Sequence, residues 1–193
     1  MWVLLAGLAL FVIAHLVPTL PNLRARLVAR IGAGPYSGLF SGVSLLALIM
    51  IVWGYGRMQG LTRGNPQLWE PPTWSKHVTM LLMVPALILL VAAYVPSRIR
   101  SATGHPMLIA IMLWAVGHLL ANGDLASVLL FGSFLAYAVY DRFSVGQRQA
   151  LGPLGRARGG LPGDLAAIAG GLALYALLLV WGHAKLTGVP LWP

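Results

Sequence analysis

Histidine has the widest chemistry of any residue type in this chain, which carries five histidines, four acids and no cysteine. The lack of cysteine excludes disulfides, thiolate ligands and thiol nucleophiles. His15 and His118 lie well inside apolar runs, where an ionisable group is costly and counts as a functional candidate. His105 opens the run that contains His118, His77 stands beside Lys76 at the mouth of another run, and His183 ends the last. An imidazole can ligate a metal through one nitrogen while the other donates to a nearby acceptor. Two such histidines on separate helices can hold haem in an apolar slot. The competing assignment is two core histidines hydrogen-bonded to neighbouring helices, with no cofactor.

Trp114, His118 and Asn122 follow at i, i+4 and i+8, which predicts one shared helix face. Gly117 and Ala121 form a small-residue face beside it. The acids Glu70, Asp124, Asp141 and Asp164 fall in loops or at helix ends and form no evident catalytic dyad. Asp124 is expected to cap the helix that follows, because an acid complements a helix N-terminus. Ser127 and Ser133 have no base near them in sequence, and no glycine-rich phosphate loop follows a strand.

These groups need a scaffold, and composition says which kind. Of 193 residues, 59% are hydrophobic and only 9% charged, and the mean hydropathy is +0.81. A soluble domain carries about 25% charged residues, so this chain cannot build a polar surface and lipid must face much of its exterior. Six apolar runs stand out, near residues 2–18, 38–54, 78–95, 107–121, 125–140 and 165–183. They predict an all-α, polytopic transmembrane bundle of about six helices in a single domain covering 1–193. The fourth and fifth runs are short for spans, and only Asn122, Gly123 and Asp124 join them. They are expected to form a tight helical hairpin.

The thirteen basic residues lie between the runs and not on them, which assigns them to topology and anionic lipid and not to nucleic acid. Arg24, Arg26, Arg30, Arg98, Arg100, Arg142, Arg148, Arg156 and Arg158 follow the odd-numbered runs, against Arg57, Arg63, Lys76 and Lys185 on the other side. The asymmetry predicts an inner-membrane protein with both termini periplasmic. No basic residue precedes the first run, so it is expected to be a retained helix and not a cleaved signal. Along helices of ~1.5 Å rise per residue, His15 and His118 come out about 9 Å apart in depth in a core of about 30 Å. A tilted or partly inserted fourth helix would close that gap, and His105 is an alternative partner for His118. Gly34, Gly38 and Gly42, with Ser37 and Ser41, are expected to pack inside the bundle, with a dimer face as the other use. Pro85 is expected to kink the third helix. Residues 151–163, rich in Gly, Pro and Arg, are expected to be a mobile cytoplasmic loop.

The chain resembles the NnrU family of bacterial membrane proteins over nearly its whole length. The resemblance starts at His15-Leu16-Val17-Pro18 and continues through Asn22-Leu23-Arg24-Ala25-Arg26 and residues 34–42. It is most specific at Gly104-His105-Pro106-Met107, at the segment 113–124 from Leu113-Trp114 to Gly123-Asp124, and at Leu130-Phe131-Gly132-Ser133. The family is named for a requirement in expressing nitrite and nitric oxide reductases, so it implies a role in denitrification and those reductases as partners. It is similar to plant zeta-carotene isomerase, a haem b membrane enzyme. That likeness implies haem b here, with His15 and His118 as the iron ligands and isomerase- or redox-type chemistry on a lipophilic substrate. The isomerase carries a cysteine where this chain has Ala115, so its ligand-switching mechanism is not implied. The His105-Pro106 element also resembles S-adenosylmethionine-dependent membrane methyltransferases, but Gly104 replaces their arginine and the downstream glutamates are missing. A third reading is a membrane assembly factor that binds no cofactor.

Overall fold

The computed structural model describes residues 1–60, 64–148, 154–155 and 159–191. Most of these are helical, and they divide into two compact units, one within residues 1–70 and 122–148, the other within 71–121 and 149–193. Five helical segments are long and apolar enough to cross a membrane, and the helix Pro106–Ala121 is a sixth, shorter apolar one. The chain is a multi-pass helical membrane protein, as its six apolar runs predicted.

The first unit holds α1 (Trp2–Leu16), which passes into a 3-10 turn, Val17–Thr19, then α2 (Pro21–Ile31), α3 (Ala33–Gln59) and α7 (Leu125–Arg148). Helices α1 and α3 run antiparallel along a glycine seam. A Cβ on Gly7 would fall 2.9 Å from the Ile51 nitrogen, and one on Gly54 would fall 2.5 Å from the Leu4 nitrogen. In lipid there is no hydrophobic drive between helices, so close packing of this kind must hold them. Leu4, Ala47, Ile51 and Met58 are buried along the seam.

The seam corrects one expectation. Gly34, Gly38 and Gly42 would meet nothing within 4 Å if given a Cβ, so they do not pack against another helix of their own chain. They recur at a helix-packing spacing, but they lie on a side of α3 that α1 does not cover. The fifth run is also longer than expected. Its helix α7 extends to Arg148 and has 24 residues, because Asp141 and Arg148 pair with each other and let the helix continue past its apolar stretch.

The second unit holds α4 (Ser75–Ala92), α5 (Arg98–Thr103), α6 (Pro106–Ala121) and α8 (Leu161–Leu177). After α8 comes a π-helical turn, Leu178–Gly182, and then α9 (His183–Thr187). Helix α4 packs against both α6 and α8. It is continuous through Pro85. A Cβ on Gly171 would fall 2.5 Å from the Ile88 Cα, and one on Gly163 would fall 1.8 Å from the Pro96 carbonyl oxygen, so α8 runs antiparallel to α4. The Asp164 carboxylate accepts the Arg98 and Ile99 backbone N–H groups at 2.7 and 3.1 Å, and so caps α5.

Of the loop expected over 151–163, residues 151–153 and 156–158 lie outside the described residues. Residues 161–163 form the first turn of α8 and Gly159 lies against Pro96 and Ser97, so α8 starts inside the segment expected to be a loop. Three residues connect α6 to α7, and the two helices fall in separate compact units.

Candidate functional site

His15 lies in the last turn of α1. Its Nδ1 is 2.8 Å from the Phe11 carbonyl oxygen, one helical turn back. A carbonyl only accepts, so Nδ1 carries the proton. The lone pair of a neutral ring is then on Nε2, and among the described residues no protein group hydrogen-bonds that nitrogen. Three rings surround the imidazole. Phe11 stacks on it with centroids 3.8 Å apart, Phe40 of α3 lies at 5.1 Å, and Tyr137 of α7 meets it edge-on at 5.8 Å.

The backbone at this end of α1 explains the polar residues of α7. Pro18 and Pro21 supply no N–H, so carbonyls here need other donors. The Thr19 hydroxyl donates to the Leu16 oxygen at 2.7 Å, and the Leu20 N–H to the Val17 oxygen at 3.1 Å. The Tyr137 hydroxyl lies 3.3 Å from the His15 oxygen, and Arg148 Nη1 donates to the Pro18 oxygen, also at 3.3 Å. Arg148 also pairs with Asp141, and the Tyr137 hydroxyl lies 3.3 Å from the Asp141 carboxylate. Tyr137, Asp141 and Arg148 thus form one polar chain on α7 that ends on the His15 backbone. Sequence reasoning missed it. Its signal was the spacing i, i+4 and i+11 along a helix that was expected to stop at residue 140.

His118 is one turn from the end of α6. Its Nδ1 is 2.8 Å from the Trp114 carbonyl oxygen, again one turn back, and the Trp114 and His118 rings lie 5.4 Å apart. Its backbone is held from α4. The Thr79 hydroxyl donates to the Gly117 oxygen at 2.6 Å, and a Cβ on Gly117 would fall 3.2 Å from the Thr79 methyl. Gly117 therefore admits α4 to the turn that carries His118.

His105 precedes Pro106 at the start of α6, and its carbonyl accepts the Ile109 N–H at 3.5 Å. Thirteen residues of helix place it about 20 Å along the axis from His118, too far for both to bind one iron. Asn122 directly follows the last residue of α6.

Asp124 caps α7 as expected. Its Oδ1 accepts the Ser127 N–H at 3.0 Å and the Asn65 amide at 2.8 Å, while its Oδ2 accepts the Ser127 hydroxyl at 2.6 Å. Gln59 adds a bond at 3.1 Å, and Tyr55 reaches Ser127 at 3.0 Å. Partial burial works to raise the Asp124 pKa, but the bonds from Ser127, Asn65 and Gln59 outweigh it and hold the carboxyl below its ordinary value. Beside it, a Cβ on Gly123 would fall 1.8 Å from the Trp69 oxygen. This clasp ties the segment after α3 to the start of α7, and every carboxylate bond in it serves structure.

Among the described residues, no group of three or more His, Cys, Asp and Glu could hold a bare metal ion. A family model described as NnrU protein matches residues 3–191, nearly the whole chain. The chain belongs to the NnrU family. No curated protein and no solved structure matches it. Within this NnrU chain, Gly104 closes α5 at φ +70°, a backbone conformation that favours glycine. Ala115 is fully buried in α6.

Proposed function

We propose that this NnrU family protein binds haem b, with His15 and His118 as the iron ligands. One observation carries the reading. Both histidines tie Nδ1 to the carbonyl of an aromatic residue one turn back, Phe11 in one case and Trp114 in the other. That bond orients each ring and puts its proton on Nδ1, the tautomer in which an iron would be met through Nε2. Haem supplies four nitrogens of its own and asks the protein for axial ligands only. The residues therefore fit haem better than they fit a bare ion. When bound, it would supply redox or Lewis-acid chemistry in an apolar setting. The chain's own part is to hold two imidazoles in one tautomer, surround His15 with Phe11, Phe40 and Tyr137, and keep water from the rings.

The same reading assigns the protein to the inner membrane with both termini periplasmic. It also assigns a role in nitrogen-oxide respiration, with nitrite or nitric oxide reductase components as partners. Support comes from the arginine asymmetry and from the genetic role for which the family is named.

The test is an absorption spectrum of the detergent-purified protein after expression with added haem precursor. A Soret band in stoichiometric yield is expected. Its absence, with co-purification of reductase subunits, would replace this reading with a cofactor-free assembly factor.

A further inference from the structure

Among the described residues, α2 is the one helix of more than five residues with no buried residue. Its place follows from its neighbours. Because α1 and α3 run antiparallel, the end of α1 and the start of α3 lie at the same membrane face. Helix α2 connects them there. At 11 residues it is about 16 Å long, too short to cross a membrane. His15 of α1 is level with Phe40 of α3, so the turns of α3 before Gly38 extend past α1 toward that face. The Arg24 guanidinium stands over the Tyr36 ring at 5.8 Å and ties α2 to this overhang.

The surface of α2 has two parts. Leu20, Leu23, Leu27 and Ile31 repeat at spacings of three and four, which makes an apolar stripe. Leu20, Leu23 and Ile31 of that stripe are 48%, 41% and 43% exposed. Arg26 and Arg30 lie one turn apart beside it, a like-charged arrangement that destabilises an isolated helix unless an anion bridges it. Among the described residues no carboxylate pairs with either arginine. The first carboxylate in the chain is Glu70, and among the described residues the ion pairs are Arg98–Asp164 and Arg148–Asp141.

An exposed apolar stripe flanked by unneutralised arginines at a membrane face matches the headgroup layer of an anionic leaflet. We propose that α2 lies in that layer and seats anionic phospholipid headgroups on Arg24, Arg26 and Arg30, with Leu20, Leu23 and Ile31 in the acyl boundary. The assignment is independent of haem.

The experiment uses the full chain in nanodiscs of mixed phosphatidylcholine and phosphatidylglycerol. Native mass spectrometry of the released protein counts the lipids it retains. Wild type is expected to retain phosphatidylglycerol several-fold over its share of the bilayer. The triple variant Arg24→Gln, Arg26→Gln, Arg30→Gln is expected to lose that enrichment, and Arg57→Gln to keep it. A second measurement leaves the arginines intact. The chain has no cysteine, so Leu23→Cys and Ala29→Cys can each carry one spin label. The Leu23 label is expected in the oxygen-accessible boundary and the Ala29 label in water. The proposal is overturned if wild type shows no enrichment, as for arginines that meet a protein partner. Enrichment that survives in the triple variant, or that Arg57→Gln removes equally, also overturns it. So does a Leu23 label as wet as the one at Ala29.

Discussion

His15 and His118 occupy helix ends in separate units, and the two settings solve one problem by different means. In both, Nδ1 is spent on the carbonyl of the aromatic residue four positions earlier. The support behind that bond differs. His15 is fixed by ring packing against Phe11, Phe40 and Tyr137, and its backbone by the Tyr137–Asp141–Arg148 chain. His118 is fixed by close approach of α4, through Gly117 and the Thr79 hydroxyl. A histidine beside proline-freed carbonyls needs side-chain donors. A histidine in a regular helix can be held through a small neighbour that lets the next helix approach.

The difference can be broken on either side. The largest effect is expected at Asp141. Asp141 and Arg148 are largely buried, with side chains 13% and 17% exposed. Asp141→Asn leaves the guanidinium without its counter-charge, and removing one partner of a buried pair costs about 3 kcal/mol or more. Denaturant titration in detergent should show that loss. Thr79→Val removes one donor from the Gly117 carbonyl and should cost about 1 kcal/mol, in line with interhelical bonds in membranes. It should disturb His118 and leave His15 unchanged, which single-site ring NMR signals can report. Tyr137→Phe is the converse, at about 0.5–1 kcal/mol, since the hydroxyl bonds it removes are long. It should shift the His15 signals alone.

Much of this was legible beforehand, for physical reasons. Hydrophobic length reveals spans because lipid admits only satisfied backbones, so the apolar runs became helices. Depth in an apolar run singled out His15 and His118. What stayed hidden depended on which faces meet. Gly34, Gly38 and Gly42 have the right spacing for a packing face, but Gly7 and Gly54, with no such repeat, form the seam. The fifth helix was cut short at Tyr140 because Asp141 and Arg148 look like polar ends when read singly, and they are neutral only as a pair. Asp124 was legible as a cap, while its partners Gln59 and Asn65 were not, since they come from a segment about sixty residues earlier.

The smallest expected effect concerns that cap. The Asp124 carboxyl titrates below its ordinary value in the folded protein, so folding favours its charged form. Its contribution is complete above about pH 4, the unfolded value, and is lost as pH falls through the lower folded value. Thermal unfolding between pH 5 and 3 should therefore show a small fall in stability that Asp124→Asn flattens. Neither histidine setting should respond to that substitution.

The claim that the two histidines are equivalent ligands has a direct measurement. Optical spectra of haem-loaded wild type are compared with those of His15→Ala and His118→Ala, each purified in the same detergent. A six-coordinate, low-spin spectrum is expected for wild type, and each single substitution should convert it to a high-spin form or abolish it. Two variants that both keep the wild-type spectrum would contradict the assignment.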